Sequence, residues 1–452
     1  MDSHTATETL RRRIEETLRP LLASTERVAL IDFPNYPNVG DSAIYLGELA
    51  CLASLDVPLP RFICDIATYD RAELARRVGP DGVILLAGGG NFGDLWPITQ
   101  RLREDVIQSF PDNPIIQLPQ TIHFERRDSL CRARAILNAH PNLTVLVRDR
   151  RSLEIAGTEF RARSLLCPDI AFALGRLARP IAARRPRLWL LRTDKERRVN
   201  ELPMSDEAPV DWLEEPATLL RELSYRLMGA RLRKHLRRSS RWLLTRVYAP
   251  LARQRLRRGL EMLASAEVVI TDRLHGHILC LLLGIPHVIL DNNYGKLSSF
   301  YQTWTADVDD VRWADSSADA LIQARDLAAR GATPSGTPVS MHKDGGAVER
   351  ITYLIANHNL ASYIGDCLES LRQQTDPNWL AIVADDASTD NSLQEVAPFL
   401  DARIRMIVNE RNVGYIATLK RLIAEASTDI VAIVDADDAI SPDATERLRK
   451  AY

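Results

Sequence analysis

Little in this chain ties it to a disulfide frame, a membrane span or nucleic acid. Its six cysteines (Cys51, Cys64, Cys131, Cys167, Cys280 and Cys367) are scattered and form no CxxC pair. That spacing excludes a zinc-finger pattern or disulfide scaffold and fits buried thiols in a reducing compartment. No apolar run approaches the ~20 residues that cross a bilayer. The polar, acid-containing start from Met1 to Glu8 does not read as a secretory signal. Positive and negative side chains nearly cancel, 58 Lys and Arg against 60 Asp and Glu, so no overall field draws the chain to nucleic acid. A cytoplasmic protein is expected. What is present is the composition of a folded protein, 46% hydrophobic and 26% charged over 452 residues, long enough for two or three domains.

The hydrophobic pattern predicts an α/β fold. Leu10, Ile14, Leu18 and Leu21 recur at helical spacing. Strands are expected at residues 28–33, 61–65, 82–87, 114–118 and 143–147, with helical stretches such as 42–55 between them. This alternation argues for a parallel sheet covered on both faces. The pattern restarts at 187–194 and continues in a strand–turn–helix–strand unit from Glu267 to Asp291. Two Rossmann-like halves, 1–180 and 181–330, would then face a cleft, with ligands at the carboxyl ends of the strands. Within the second half, residues 221–258 hold 13 Lys and Arg against one Glu. That segment reads either as a solvated helical hairpin or as a surface held near anionic lipid head groups at the inner face of a membrane. Residues 331–349 are the clearest linker, and a third unit occupies 350–452.

Each polar loop that could carry chemistry follows a strand. Gly88, Gly89, Gly90 and Asn91 end an apolar run, where glycine lets backbone amides approach an anion; a tight turn without a ligand is the plainer reading. Asp272, Arg273, His275 and His277 fall within six positions at a helix start, which favours anions. An arginine there can clamp phosphate or carboxylate with two bonds, and a histidine titrates near neutrality. Both histidines could instead cap or pack. A metal is disfavoured, since no third ligand has suitable spacing.

Four motifs in order resemble the polysaccharide pyruvyltransferase family across residues 27 to about 310. They are Asn38-Val-Gly-Asp41, Gly88-Gly-Gly-Asn91, Val147-Arg-Asp-Arg-Arg-Ser152 and Asp272-Arg-Leu-His-Gly276. The resemblance implies a GT-B-like fold, a phosphoenolpyruvate donor, and a saccharide or lipid-linked oligosaccharide acceptor from surface-polysaccharide synthesis. It also implies functional roles for Arg148 and His275. Ketal formation needs a proton donor, a base for the hydroxyls and cations for phosphate and carboxylate. His275 could supply the proton, and Arg148 and Arg273 the anion clamps. Asp41 and Asp272 could accept a hydroxyl proton or orient the histidine, and Arg192 could reach the same cleft. This chemistry needs no redox cofactor and no obligatory metal.

Residues 350–452 resemble the nucleotide-binding half of a family 2 glycosyltransferase with the GT-A fold. The likeness rests on Ile355-Ala-Asn-His-Asn359, Ala384-Asp-Asp-Ala-Ser-Thr-Asp-Asn391, Asn412-Val-Gly414 and Ile433-Val-Asp-Ala-Asp-Asp438. It implies that Asp386 contacts the nucleoside of a UDP-sugar or other nucleotide-sugar. Asp435 and Asp437, paired at a strand end, could hold Mg²⁺ or Mn²⁺. The sequence stops soon after that motif, so the expected module binds a nucleotide-sugar without the half that would transfer it. Two other functions fit the same residues: a nucleotide-sugar-dependent glycosyltransferase on the double scaffold, and a non-catalytic module of a polysaccharide assembly complex.

Overall fold

A computed structural model of the chain describes residues 1–23, 25–194, 196, 208–215, 221, 237–291, 295–331, 350–426, 428 and 430–451. They fall into two compact units, Met1–Pro334 and Ser335–Tyr452.

The first unit is built on two parallel sheets. The first contains β1 (Val28–Ile31), β2 (Phe62–Cys64), β3 (Val83–Leu86), β4 (Gly89–Gly93), β5 (Ile115–His123), β6 (Leu143–Val147) and β7 (Arg163–Leu166). Their order is β2-β1-β3-β5-β6-β7, with β4 also beside β5. Apolar runs such as Val28-Ala-Leu-Ile31 and Val83-Ile-Leu-Leu86 are buried throughout, as strands covered on both faces must be. The chain leaves β1 for β2 and returns to β3 on the other side, so the loops after β1 and β3 diverge and open a crevice between them. The second sheet has β8 (Arg185–Leu190), β9 (Ala266–Thr271), β10 (His287–Ile289) and β11 (Val311–Trp313), in the order β11-β10-β9-β8. The α/β class with two Rossmann-like parallel sheets is the architecture that the alternating pattern predicts.

One apolar cluster joins the sheets. Val28 and Leu30 of the first sheet and Leu188 and Val269 of the second belong to it, with Tyr248 and Ile278. A shared core of this kind makes the two halves one unit. The first helix, Ser3–Leu22, buries Leu10, Ile14 and Leu18 in that core. Its start is tied to the second half, however: the Met1 amine donates to Asp309 at 3.0 Å and the Ser3 hydroxyl to Asp310 at 2.9 Å.

Of the basic segment, residues 222–236 lie outside the described residues. Its last part belongs to the helix Arg237–Ala264, and two of its charges are internal rather than on a solvated or lipid-facing stripe. Arg255 is buried and donates to Glu215 at 2.8 Å and to the Pro34 carbonyl at 3.2 Å. Arg258 donates to the carbonyls of Trp212 at 2.6 Å, Pro37 at 3.2 Å and Glu214. A buried guanidinium needs such a set of acceptors, and this set fastens the loop after β1 to the second half. Among the described residues no helix is long and apolar enough to cross a membrane.

The second unit has β12 (Ile351–Asn357), β13 (Trp379–Asp385), β14 (Ile404–Val408) and β15 (Ile430–Ile433), all parallel, in the order β14-β13-β12-β15. The strand order reverses around β12. Tyr353, Leu368, Trp379 and Val383 form its core.

Candidate active site

Two sequence expectations change at the mouth of the crevice. The motif Asn38-Val-Gly-Asp41 is a helix start rather than a loop, because the helix begins at Val39. The Asn38 side chain caps it, accepting from the Gly40 amide at 3.0 Å, and donates to the Asp41 carboxylate at 2.7 Å. The three glycines lead into a further strand, β4, and two amides of this loop serve the protein itself. The Gly88 amide donates to Glu48 at 2.8 Å, and the Asn91 amide to Gln120 at 3.1 Å. The Asn91 side-chain oxygen accepts from Arg103 at 2.7 Å and Gln120 at 2.8 Å. Two of the four amides of the expected cradle are thus engaged within the protein.

What Gly90 provides is room. A Cβ there would overlap the Lys296 ammonium and lie 2.8 Å from Arg148 Nη2. Gly40 has a similar role, since its Cβ would lie 2.5 Å from His275 Nδ1. Glycine at these two positions lets side chains from the second half close over the first.

Arg148 ends β6 and is fully buried. Its Nε donates to Thr121 at 2.9 Å and its Nη1 to Asp169, while Nη2 has no hydrogen-bond partner. The next residue, Asp149, caps the helix Arg150–Glu159 by accepting from the Ser152 amide at 2.8 Å. The aspartate and serine of the Arg-Asp-x-x-Ser motif thus fix the turn that aims Arg148. Asp169, just beyond β7, is equally buried and meets His275 from the second half at 3.3 Å. Burial alone would raise the Asp169 pKa, but the charges of His275 and Arg148 and the Ala171 amide hold it well below the usual carboxylate range. His275 Nε2 is the buried atom that faces Asp169. The pair that the sequence singled out therefore shares one carboxylate, which the sequence reading did not identify.

The remaining cations of the second half are largely matched by its own acids. Arg192 lies 2.9 Å from Asp194 and 3.1 Å from Glu196. Arg273 lies 2.6 Å from Asp211 and stacks over Trp212. Asp272 accepts from the Arg192 amide at 2.8 Å, joining the ends of β8 and β9. Burial pushes its carboxyl up to about 6 against the lowering effect of Arg192 and Arg273. His277 packs rather than faces the crevice: it contacts His287 at 2.7 Å and Thr305 at 3.0 Å.

Three further ionisable groups face this region without having been expected. Lys296 starts the helix Lys296–Trp304, is buried, and lies 3.7 Å from Glu196. Burial is the main cause of its pKa falling to about 8, with Arg148 and Arg192 contributing. Asp32, at the end of β1, adopts a positive φ of 82°, a conformation costly for a non-glycine residue; burial pushes its carboxyl up to about 7. Glu48, beneath Gly88, is pushed up to about 8 by burial despite the donated amide. The available signal was positional: Asp32, Asp169 and Lys296 all follow the carboxyl ends of strands.

In the second unit, segments after β12, β13, β14 and β15 line a cavity of about 330 Å³, with Asn357, His358, Asp386, Tyr415, Asp435 and Asp437 among its walls. Asp386 accepts from Asn409 at 2.7 Å, the Gly414 amide at 2.8 Å and the Val413 amide at 2.9 Å. Much of its capacity thus holds the 412–414 loop in place. Asp435 accepts from the Tyr415 hydroxyl at 3.0 Å. Among the described residues no group of three or more metal-ligating side chains is assembled.

Comparison with known proteins agrees with this division. The polysaccharide pyruvyl transferase family model matches residues 38–294, and the glycosyl transferase family 2 model matches residues 352–452. Pyruvyl transferase 1 of Schizosaccharomyces pombe is 35% identical over 303 residues, covering 62% of this chain and 70% of that protein. General stress protein 30 of Bacillus subtilis is 27% identical over 319 residues, covering 67% and 88%. For the second unit, glycosyltransferase GlyG of Streptococcus pneumoniae is 33% identical over 103 residues, which is 22% of this chain and 34% of that protein. The chain is therefore a transferase that belongs to the polysaccharide pyruvyl transferase family and continues into a partial match to glycosyl transferase family 2.

Proposed function

We propose that the first unit transfers pyruvate from phosphoenolpyruvate to two hydroxyls of a saccharide, as a cyclic ketal. A proton adds to the donor's methylene carbon and makes C2 cationic. One sugar hydroxyl bonds to C2 and loses its proton; the C2–O bond to phosphate breaks and inorganic phosphate departs. The second hydroxyl bonds to C2 and loses its proton, closing the ring. His275, beside Asp169, is the proton donor. Arg148 binds an anionic group of the donor through its unpartnered nitrogen, and Asp41, opposite, takes a hydroxyl proton. Arg192 and Arg273, matched by their own carboxylates, hold the second half's loops in shape.

The observation that carries this reading is the meeting of Arg148 and His275, from separate halves, on the single buried carboxylate of Asp169. Arg148 keeps a buried nitrogen, Nη2, without a hydrogen-bond partner, and such a group is costly unless something occupies it. The test is phosphate release by the full chain given phosphoenolpyruvate and a free or lipid-linked saccharide, with Arg148→Ala and His275→Ala as controls. Turnover that requires a nucleoside diphosphate sugar instead would favour the glycosyltransferase reading.

The cavity of the second unit supports a separate assignment, nucleotide-sugar binding. Asp435 and Asp437 both line it, and two carboxylates suit a Mg²⁺ or Mn²⁺ ion whose other ligands come from the diphosphate and water. Calorimetric titration with UDP and Mn²⁺, before and after Asp437→Asn, checks it.

A further inference from the structure

Beyond Arg148, the crevice contains a second cation that neither the motifs nor the family match point to: Lys296 lies outside the matched span of 38–294. We infer that Lys296 is a donor-binding residue that, together with Arg148, holds the phosphate of phosphoenolpyruvate over Gly90. The inference rests on the phosphoenolpyruvate reading and adds to it which group is held, and by what.

Three observations converge. The Lys296 ammonium and Arg148 Nη2 reach the same point, the space a side chain at residue 90 would fill. Arg148 Nη2 is buried there without a hydrogen-bond partner. The helix that begins with Lys296 is latched to the turn that aims Arg148: Trp304 Nε1 donates to the Arg148 carbonyl at 2.8 Å, and the Ser299 hydroxyl to Asp149 at 3.1 Å. The two cations come from different halves yet are held in fixed relation. Asp169 and Glu196 each offset one of these charges from the side, and an anion placed between the two tips is attracted by both. A phosphate dianion, with three oxygens and two charges, matches a compact ammonium and a planar guanidinium better than a singly charged carboxylate does.

The test uses the full chain, with phosphoenolpyruvate, inorganic phosphate and pyruvate as separate probes in calorimetry or ligand-detected magnetic resonance. Lys296→Met should weaken phosphoenolpyruvate and phosphate by roughly ten- to a hundred-fold, the worth of a charged hydrogen bond, and leave pyruvate within about two-fold. Gly90→Ala should weaken phosphate similarly by displacing both tips. Wild-type phosphate affinity should fall by about ten-fold per pH unit above pH ~8, where the ammonium is lost, and Lys296→Arg should keep binding while abolishing that fall. Equal phosphate binding by wild type and Lys296→Met, or a wild-type affinity flat from pH 7 to 9.5, overturns the inference while leaving the donor reading intact. Should Lys296→Met fail to fold, the wild-type pH series and Lys296→Arg still decide. A wild type that binds neither phosphoenolpyruvate nor phosphate removes both readings together.

Discussion

At the scale of single residues, the site is organised around one acid. Asp169 is the counter-charge for Arg148 and lies beside His275, so removing it should do more than subtract a charge. Asp169→Ala leaves a buried guanidinium without its ion pair, a change of about 3–5 kcal/mol in comparable cases, readable as a lower urea midpoint. His275→Ala leaves the Arg148–Asp169 pair in place. It should spare the fold yet lower turnover by roughly 10²-fold or more, the usual size of a general-acid contribution. Denaturation should separate the two variants, since only Asp169→Ala loses the ion pair, while phosphate release should slow in both because Asp169 lies beside both Arg148 and His275.

At this scale the sequence was informative where a motif carries a side chain outward to the crevice. Arg148, His275 and Asp41 were all legible. Lys296, Asp169 and Asp32 were not, because a lone Lys or Asp after a short strand looks like any solvated loop residue. Only burial distinguishes them, and burial is set by what packs on top. At Gly88–Asn91 the structure adds what the sequence could not show, that Lys296 and Arg148 reach the space Gly90 leaves. The sequence shows that Cβ atoms are absent, not whether the space is used by amides or by side chains arriving from the other half.

At the scale of elements, a buried polar chain holds the second half's helices to its sheet. His287 Nδ1 lies 2.8 Å from the Ile285 carbonyl, which can only accept, so that nitrogen carries the proton. His287 Nε2 therefore accepts from His277 Nδ1, and His277 Nε2 accepts from the Thr305 hydroxyl. Both rings are neutral in this chain of bonds. Burial lowers both pKa values, that of His287 to about 4 from 6.5. The unfolded state takes up protons first as pH falls, so the folded state is favoured above pH 6.5 and loses that advantage down to about pH 4. His287 alone accounts for a loss of roughly 3 kcal/mol across that window. Urea midpoints should fall between pH 6.5 and 4.5, and His287→Leu should flatten that dependence while lowering the midpoint at pH 7.

The helix Lys296–Trp304 offers a second test at this scale. Trp304→Phe removes its hydrogen bond to the Arg148 carbonyl and keeps an aromatic ring in place. One such bond contributes about 1 kcal/mol, so phosphoenolpyruvate affinity should fall about five-fold, with far-UV circular dichroism unchanged.

At the scale of the whole molecule, the two compact units have separate cores, and each should unfold on its own. Trp379 is the single tryptophan in residues 335–452 and is fully buried. Its fluorescence, isolated by subtracting a Trp379→Phe titration, should report a urea transition distinct from that of the other six tryptophans. Coincident transitions would show that the units unfold as one.

The α/β class and the identity of the motif residues follow from local pattern: apolar runs of strand length, helical spacing and polar loops after strand ends. These are properties of neighbours along the chain, and the sequence alone determined them. The tertiary structure decided what each loop faces. Contacts such as Gly40 with His275, Gly90 with Lys296, and Asp169 with Arg148 and His275 join residues up to more than two hundred positions apart. They exist because one shared core holds the two sheets in register, so the chemistry of the crevice is a product of packing between halves.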